Sequence, residues 1–195
     1  MANVTLIEQP KGMIARYAAR YGRRKFGRDV EPLQAASHHP GVLTAAGLIE
    51  TAAERGWKKL DHDLALLAVQ ASAGVIGCSW CTDFGYYLAR HQGMAAEKVR
   101  DVPMWRDSTA YTDKERVVLE YAEAASITPV LVSDDLVRRL HDHFSEPEIV
   151  ELAAWVALEN FRSRFNAGLG LRSQGFSDRC EIPMRPGGDQ ADAVA

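Results

Sequence analysis

Cys78-Ser79-Trp80-Cys81 carries the chemistry this sequence offers most plainly. Two cysteines at i and i+3 in the first turn of a helix share a face, near enough for their sulfurs to join after a small rotamer adjustment. Attack by sulfur needs the thiolate, and the free N–H groups and partial positive charge of a helix N-terminus lower a cysteine pKa from its free value of about 8.5. Gly77 interrupts the chain just before the pair and puts Cys78 near such a terminus. A cycling dithiol also needs a route for protons, which a carboxylate or an imidazole normally supplies. Two other uses of the pair compete with redox chemistry. A closed zinc site needs four ligands, but the second half of the chain offers no matching pair and His141-x-His143 is poorly spaced for one helical face, so no metal or cofactor is expected. Burial of both cysteines as small hydrophobes is the other, and Trp80 fits either a shielded site or a core.

The residues that could move protons are scattered. His91, ten residues beyond Cys81, lies about 15 Å further along the same helix and is out of reach. His38, His39, His141 and His143 can meet the sulfurs only through tertiary folding or across a subunit boundary, and surface or capping roles are the ordinary alternative. Asp83, two residues after Cys81, points away from the pair on a helix, which favours a solvated or capping carboxylate over a relay. Cys180 is read as a bystander near a loose tail rather than a third redox group.

Helices must position these groups. Residues 11–26 place Ile14, Tyr17, Ala18 and Tyr21 at helical spacing with Arg16, Arg20, Arg23, Arg24 and Lys25 on other faces, and we read this as a helix docked through its apolar stripe rather than a contact for an acidic partner or membrane surface. Helices follow over 42–55, ending at Gly56, and over 61–73, with Leu64, Leu67, Ala68 and Ala71 on one stripe. The dithiol opens the next, Cys78 to about Gln92, and a short helix spans Ala95 to Val99. In the second half Thr112-x-x-Glu115 is a capping box, Ser133-Asp134-Asp135 caps a helix through His143, and Ser145-x-x-Glu148 with Pro147 starts a long one toward Gly168. No strand-period segment is found. Asp63-(x)3-Leu67-Ala68 and Glu148-(x)3-Leu152-Ala153 echo each other at an offset of 85 residues, with Gly85 and Gly170 corresponding, which allows two helical-hairpin repeats.

The fold class expected is therefore all-α, with one domain over 1–175 and a loose Pro-, Gly- and Asp-containing tail over 176–195. At 195 residues and 47% hydrophobic the chain can bury a core without staples. A formal net charge of −3 leaves no global attraction for polyanions, so no nucleic-acid or membrane partner is expected. The N-terminus does not read as a signal peptide, and three cysteines do not resemble a secreted disulfide framework, so the expected location is cytoplasmic.

The segment from Asp63 to Ala71, Gly77-Cys78-Ser79-Trp80-Cys81 and Ala89-Arg90-x-x-Gly93 together resemble the carboxymuconolactone decarboxylase superfamily, in its AhpD-like alkylhydroperoxidase branch. The resemblance covers residues 40–103. A second stretch, Tyr111 to Arg116 and then Glu159-Asn160-Phe161-Arg162-Ser163-Arg164-Phe165-Asn166, is similar to the C-terminal half of a subgroup whose dithiol reads Cys-x-Trp-Cys-x-Asp-Phe-Gly. The resemblance implies an AhpD-like helical bundle that forms a homo-oligomer and reduces a hydroperoxide substrate at the expense of an external dithiol reductant. One sulfur attacks and the other resolves the sulfenic acid. The family pattern also has an upstream Glu and a His four residues after the second cysteine. Here Gly85 stands at the His position, and the carboxylate matches only Asp63 as tentative proton acceptor.

Which sulfur attacks stays open: the family account favours Cys81, helix-dipole reasoning alone favours Cys78. Two alternatives to the peroxidase remain, a muconolactone decarboxylase, which needs a general acid and a cation but no dithiol, and a redox-sensing helical module without turnover.

Overall fold

A computed structural model of the chain describes residues 2–177. Among these residues there is no strand, and nine α-helices follow in order: α1 Met13–Phe26, α2 Glu31–Ala36, α3 Pro40–Gly56, α4 His62–Ile76, α5 Ser79–His91, α6 Ala96–Arg100, α7 Asp113–Ser126, α8 Asp134–His143 and α9 Glu146–Gly168. A 3-10 turn at Val102–Met104 links α6 to α7. No helix among them is long and apolar enough to cross a membrane.

Local chemistry explains most boundaries. Asp61 caps α4 by accepting from the N–H groups of Asp63 and Leu64. Thr112 and Glu115 form the expected capping box of α7, and Ser133 caps α8 through the Leu136 N–H. His39 has the same task at α3, its Nδ1 accepting from Val42 N–H at 3.2 Å. The short helix α2 lay outside the sequence reading; it starts with Pro at its second position, where a missing N–H costs nothing.

The described residues group into two compact units by their contacts. One holds the chain up to Lys58 with Gly168–Arg172; the other holds Lys59–Ala167 with the segment from Ser173. In the first unit α1, α2 and α3 pack on one another. The face α1 docks differs from the stripe expected: Ala15 and Gly22 are buried, whereas Met13, Ile14, Tyr17 and Tyr21 are exposed. Gly22 explains the change, because a Cβ there would meet Val30 Cγ2 at 3.2 Å and Leu33 Cδ1 at 3.3 Å. A small residue thus brings α1 close to α2, and the aromatic stripe is turned outward. Asn3 ties the end of α9 into this unit, its N–H donating to Leu169 O at 2.8 Å.

In the second unit α4 packs against both α5 and α7. Leu67, Ala68 and Ala71 of α4 and Val118, Leu119 and Ala122 of α7 are almost fully buried in one core, which Leu136 and Leu140 of α8 and Leu152 and Val156 of α9 complete. Alanines on α4 let its neighbours approach closely. Arg139 of α8 binds Glu120 of α7 through two parallel hydrogen bonds of 2.8 and 2.7 Å.

The echo between the halves does not produce two hairpins. Where the first half reverses at Gly77-Cys78, α9 runs on unbroken for 23 residues. The expected tail also begins differently, since Phe176 and Ser177 are held by hydrogen bonds to Asp83; residues 178–195, with Cys180, lie outside the described residues. Leu119→Ala should cost about 2–5 kcal/mol, because the void would open where α4 and α7 meet and neither can collapse into it. Urea denaturation followed by circular dichroism reads this as a lower midpoint with an unchanged slope.

Candidate active site

Helix α4 ends at Gly77 in the left-handed conformation (φ 81°), where a side chain would be strained, and the chain reverses directly into α5. Cys78 is the residue left at the N-cap of α5. Its Sγ accepts from the Cys81 N–H at 3.2 Å, taking the place a Ser or Asp oxygen usually fills, while Thr82 N–H and Oγ1 both donate to Cys78 O. Cys78 and Cys81 are joined in a disulfide with Cα atoms 5.3 Å apart. The pair is well covered: Cys78 is 1% exposed and Cys81 7%. Cys81 is the slightly less buried of the two residues.

Cys81 has a partner from the far end of the second unit. Asn166, near the C-terminus of α9 and 3% exposed, donates from Nδ2 to Cys81 Sγ at 3.3 Å. On the same face of α9, one and two turns earlier, lie Ser163 and Glu159; Ser163 Oγ donates to Glu159 Oε1 at 2.6 Å, and both are buried.

The proton carriers expected from the family pattern stand elsewhere. Asp63 is exposed in the first turn of α4, thirteen residues before the helix ends, or about 20 Å from the turn that carries the sulfurs. The structure does not bring Asp63 to the dithiol. At the position of the missing imidazole, Gly85 is pressed against Gln70 of α4: a Cβ there would lie 2.6 Å from Gln70 Nε2. That amide donates to Thr82 O at 3.3 Å, so Gln70 occupies the space an imidazole would need. His38 Nε2 is 2.7 Å from Thr5 O, His39 caps α3, His91 Nδ1 is 2.8 Å from Tyr87 O, and His141 and His143 sit in the last turn of α8.

Asp83 is neither solvated nor a relay. It is 4% exposed and accepts five hydrogen bonds from the segment after α9: Ser177 Oγ at 2.6 Å and N–H at 2.8 Å on Oδ1, and Ser173 Oγ, Phe176 N–H and Gln174 N–H at 2.9, 3.0 and 3.1 Å on Oδ2. Burial pushes its pKa up, but the hydrogen bonds from Ser177, Phe176 and Ser173 outweigh this and hold the carboxyl below the ordinary value. Trp80 Nε1 donates to Gln174 Oε1 at 2.8 Å, and Phe176 packs edge-on against Phe84 with ring centres 5.0 Å apart. Residues 173–177 thus form a strap over α5, fastened by Asp83, with Phe176 edge-on to Trp80 and Phe84 and tilted against Tyr87.

The class of protein is then an all-helical dithiol protein with its cysteines in the first turn of a core helix. The carboxymuconolactone decarboxylase family matches over residues 43–124, and the uncharacterised protein YnjA of Escherichia coli K12 is 32% identical over 173 residues, 89% of this chain and 93% of its own. The chain belongs to the carboxymuconolactone decarboxylase family. Among solved structures, the apo form of the debrominase Bmp8 superposes with a TM-score of 0.80 at 20% identity, covering 90% of this chain and 94% of its own. An uncharacterised peroxidase-related protein of Ralstonia eutropha JMP134 with an alkylhydroperoxidase AhpD core superposes at 0.75 and 16% identity, covering 89% and 95%. At those identities the likeness is one of fold.

Because the folded-state pKa of Asp83 is depressed, its anchoring is fully present above the unfolded carboxyl pKa of about 3.9 and is lost as pH falls through the lower folded value. Tryptophan fluorescence, compared between the parent and a Trp80→Phe chain to isolate the Trp80 signal beneath Phe176, should report release only in that acid range. Asp83→Asn should release the strap at neutral pH and lower stability by roughly 2 kcal/mol or more, since an amide cannot accept five donors.

Proposed function

We propose that the chain is a dithiol-dependent hydroperoxide reductase in which Cys81 attacks and Cys78 resolves. One observation carries this reading: the two sulfurs are bonded to each other in a helical first turn, where Cys78 accepts a helix N–H and Cys81 accepts from the Asn166 amide. Family membership and the AhpD-like fold support it. In the first step the Cys81 thiol gives its proton to solvent and the thiolate attacks the hydroxyl oxygen of the peroxide; the O–O bond breaks and the departing alkoxide takes a proton from solvent, leaving a sulfenic acid and an alcohol. Cys78 then attacks the Cys81 sulfur, a disulfide forms and water leaves. An external dithiol reduces the disulfide and completes the cycle.

The near-complete burial of both sulfurs favours a second reading, a redox switch that closes its disulfide without turnover. Peroxide consumption with dithiothreitol as reductant separates the two. For the reductase, the unmutated chain consumes peroxide continuously while dithiothreitol lasts. Cys81→Ser falls to the uncatalysed rate, and Cys78→Ser, with dithiothreitol left out, gives a single burst that stops at the sulfenic acid. A Cys81→Ser chain that consumes peroxide as fast as the parent would falsify the assignment, and disulfide closure with no turnover in the parent selects the switch.

A further inference from the structure

The face of α9 that enters the core changes character along its length. Leu152 and Val156 are apolar and buried, then Glu159, Ser163 and Asn166 continue the same alternating three- and four-residue spacing and stay buried. Burying polar groups in this way costs free energy unless each finds a partner. Glu159 and Ser163 bond to each other, and the Nδ2 of Asn166 is directed at Cys81 Sγ. Sulfur in a disulfide is a weak acceptor, whereas a thiolate is an anionic one and accepts a much stronger hydrogen bond. The amide is therefore matched to the reduced, ionised form of Cys81 rather than to the form in which the pair is joined.

We infer that Asn166 is a catalytic residue of the dithiol cycle: its side-chain amide stabilises the Cys81 thiolate and so takes over the activation that the imidazole excluded by Gln70 and Gly85 cannot provide. The inference rests on the dithiol reading proposed above, and it adds a consequence for the redox balance. A donor that favours the thiolate favours the reduced pair, so Asn166 makes the disulfide easier to reduce. In the exchange, two electrons pass from the external dithiol to the disulfide, which becomes two thiols while the reductant closes its own disulfide. Asn166 is not consumed and changes no bond.

The full chain carrying Cys78→Ser and Cys180→Ser leaves Cys81 as its one thiol, and thiolate ultraviolet absorbance against pH reads its ionisation without requiring access by a reagent. Adding Asn166→Ala should raise the midpoint by about one pH unit, and Asn166→Asp should raise it further, because a carboxylate repels the thiolate. Superimposable titration curves for Asn166 and Ala would overturn the inference, whether or not the parent consumes peroxide. Should these variants unfold, the otherwise unmutated chain supplies the reading. Its Asn166 side-chain amide proton resonances should move downfield on reduction of the disulfide and follow the thiol titration, and resonances that ignore both would overturn the inference equally. In the chain with both active-site cysteines, Asn166→Ala should shift the exchange equilibrium with dithiothreitol about tenfold toward the protein disulfide; an unshifted equilibrium counts against the redox consequence.

Discussion

The reversal between α4 and α5 is the constraint on which the site depends. Gly77 turns the chain in a left-handed conformation, and Cys78 must then satisfy the N-terminus of the next helix. A hydroxyl or carboxylate would cap α5 more strongly, since sulfur is a weak acceptor. The thiol in that position therefore trades capping strength for reactivity, and ionisation would restore what is lost, because a thiolate at an N-cap is an anion facing free N–H groups. With Cys78 placed by the cap, Cys81 follows at the third helical position, and its own N–H is the donor that reaches Cys78. One backbone turn thus fixes the spacing, the shared face and the polarity of the pair.

Everything packed around that turn serves to hold α5 and keep the pair dry. Helix α4, rich in alanine, lies close to α5 and sends Gln70 into the gap left by Gly85. The strap after α9 clamps the other side through Asp83, which is saturated with donors and so is poorly suited to exchange protons. A buried, fully bonded carboxylate two residues from a cysteine of the dithiol invites a catalytic assignment. Its geometry assigns it to anchoring instead, because its five hydrogen-bond donors are strap groups.

The helical order was legible because helix starts are written in short-range chemistry. Thr112-x-x-Glu115 and Ser133 each act within one turn, and both starts appear where the residues place them, whereas α4 runs three residues past the expected end at 73 to its cap at Gly77. The dithiol was legible for the same reason. What escaped was long-range. Asn166 stands 85 residues from Cys81, and the strap 90 to 94 residues from Asp83, so no local pattern links them. A signal was nevertheless present: Gln70 on the apolar stripe of α4, and Glu159, Ser163 and Asn166 continuing the stripe of Leu152 and Val156, are polar residues where periodicity demands core. The exposed stripe of α1 failed in the opposite sense, since period alone cannot say that Gly22 will win the contact by allowing a closer approach.

An amide and an imidazole activate a thiol in different ways. An imidazole takes the proton and becomes a cation, so its help appears only across the pH range in which it titrates. An amide takes nothing; it offers the same N–H at every pH, and its benefit is limited to the strength of one hydrogen bond to a charged sulfur. In a site as closed as this one, that difference favours the amide. A neutral donor can be buried without the desolvation cost of an imidazolium, and Asn166 at the end of a long core helix is held with little rotamer freedom. Gly85 and Gln70 fill the place where the family pattern puts a histidine, and the polar stripe of α9 reaches the sulfur through Asn166.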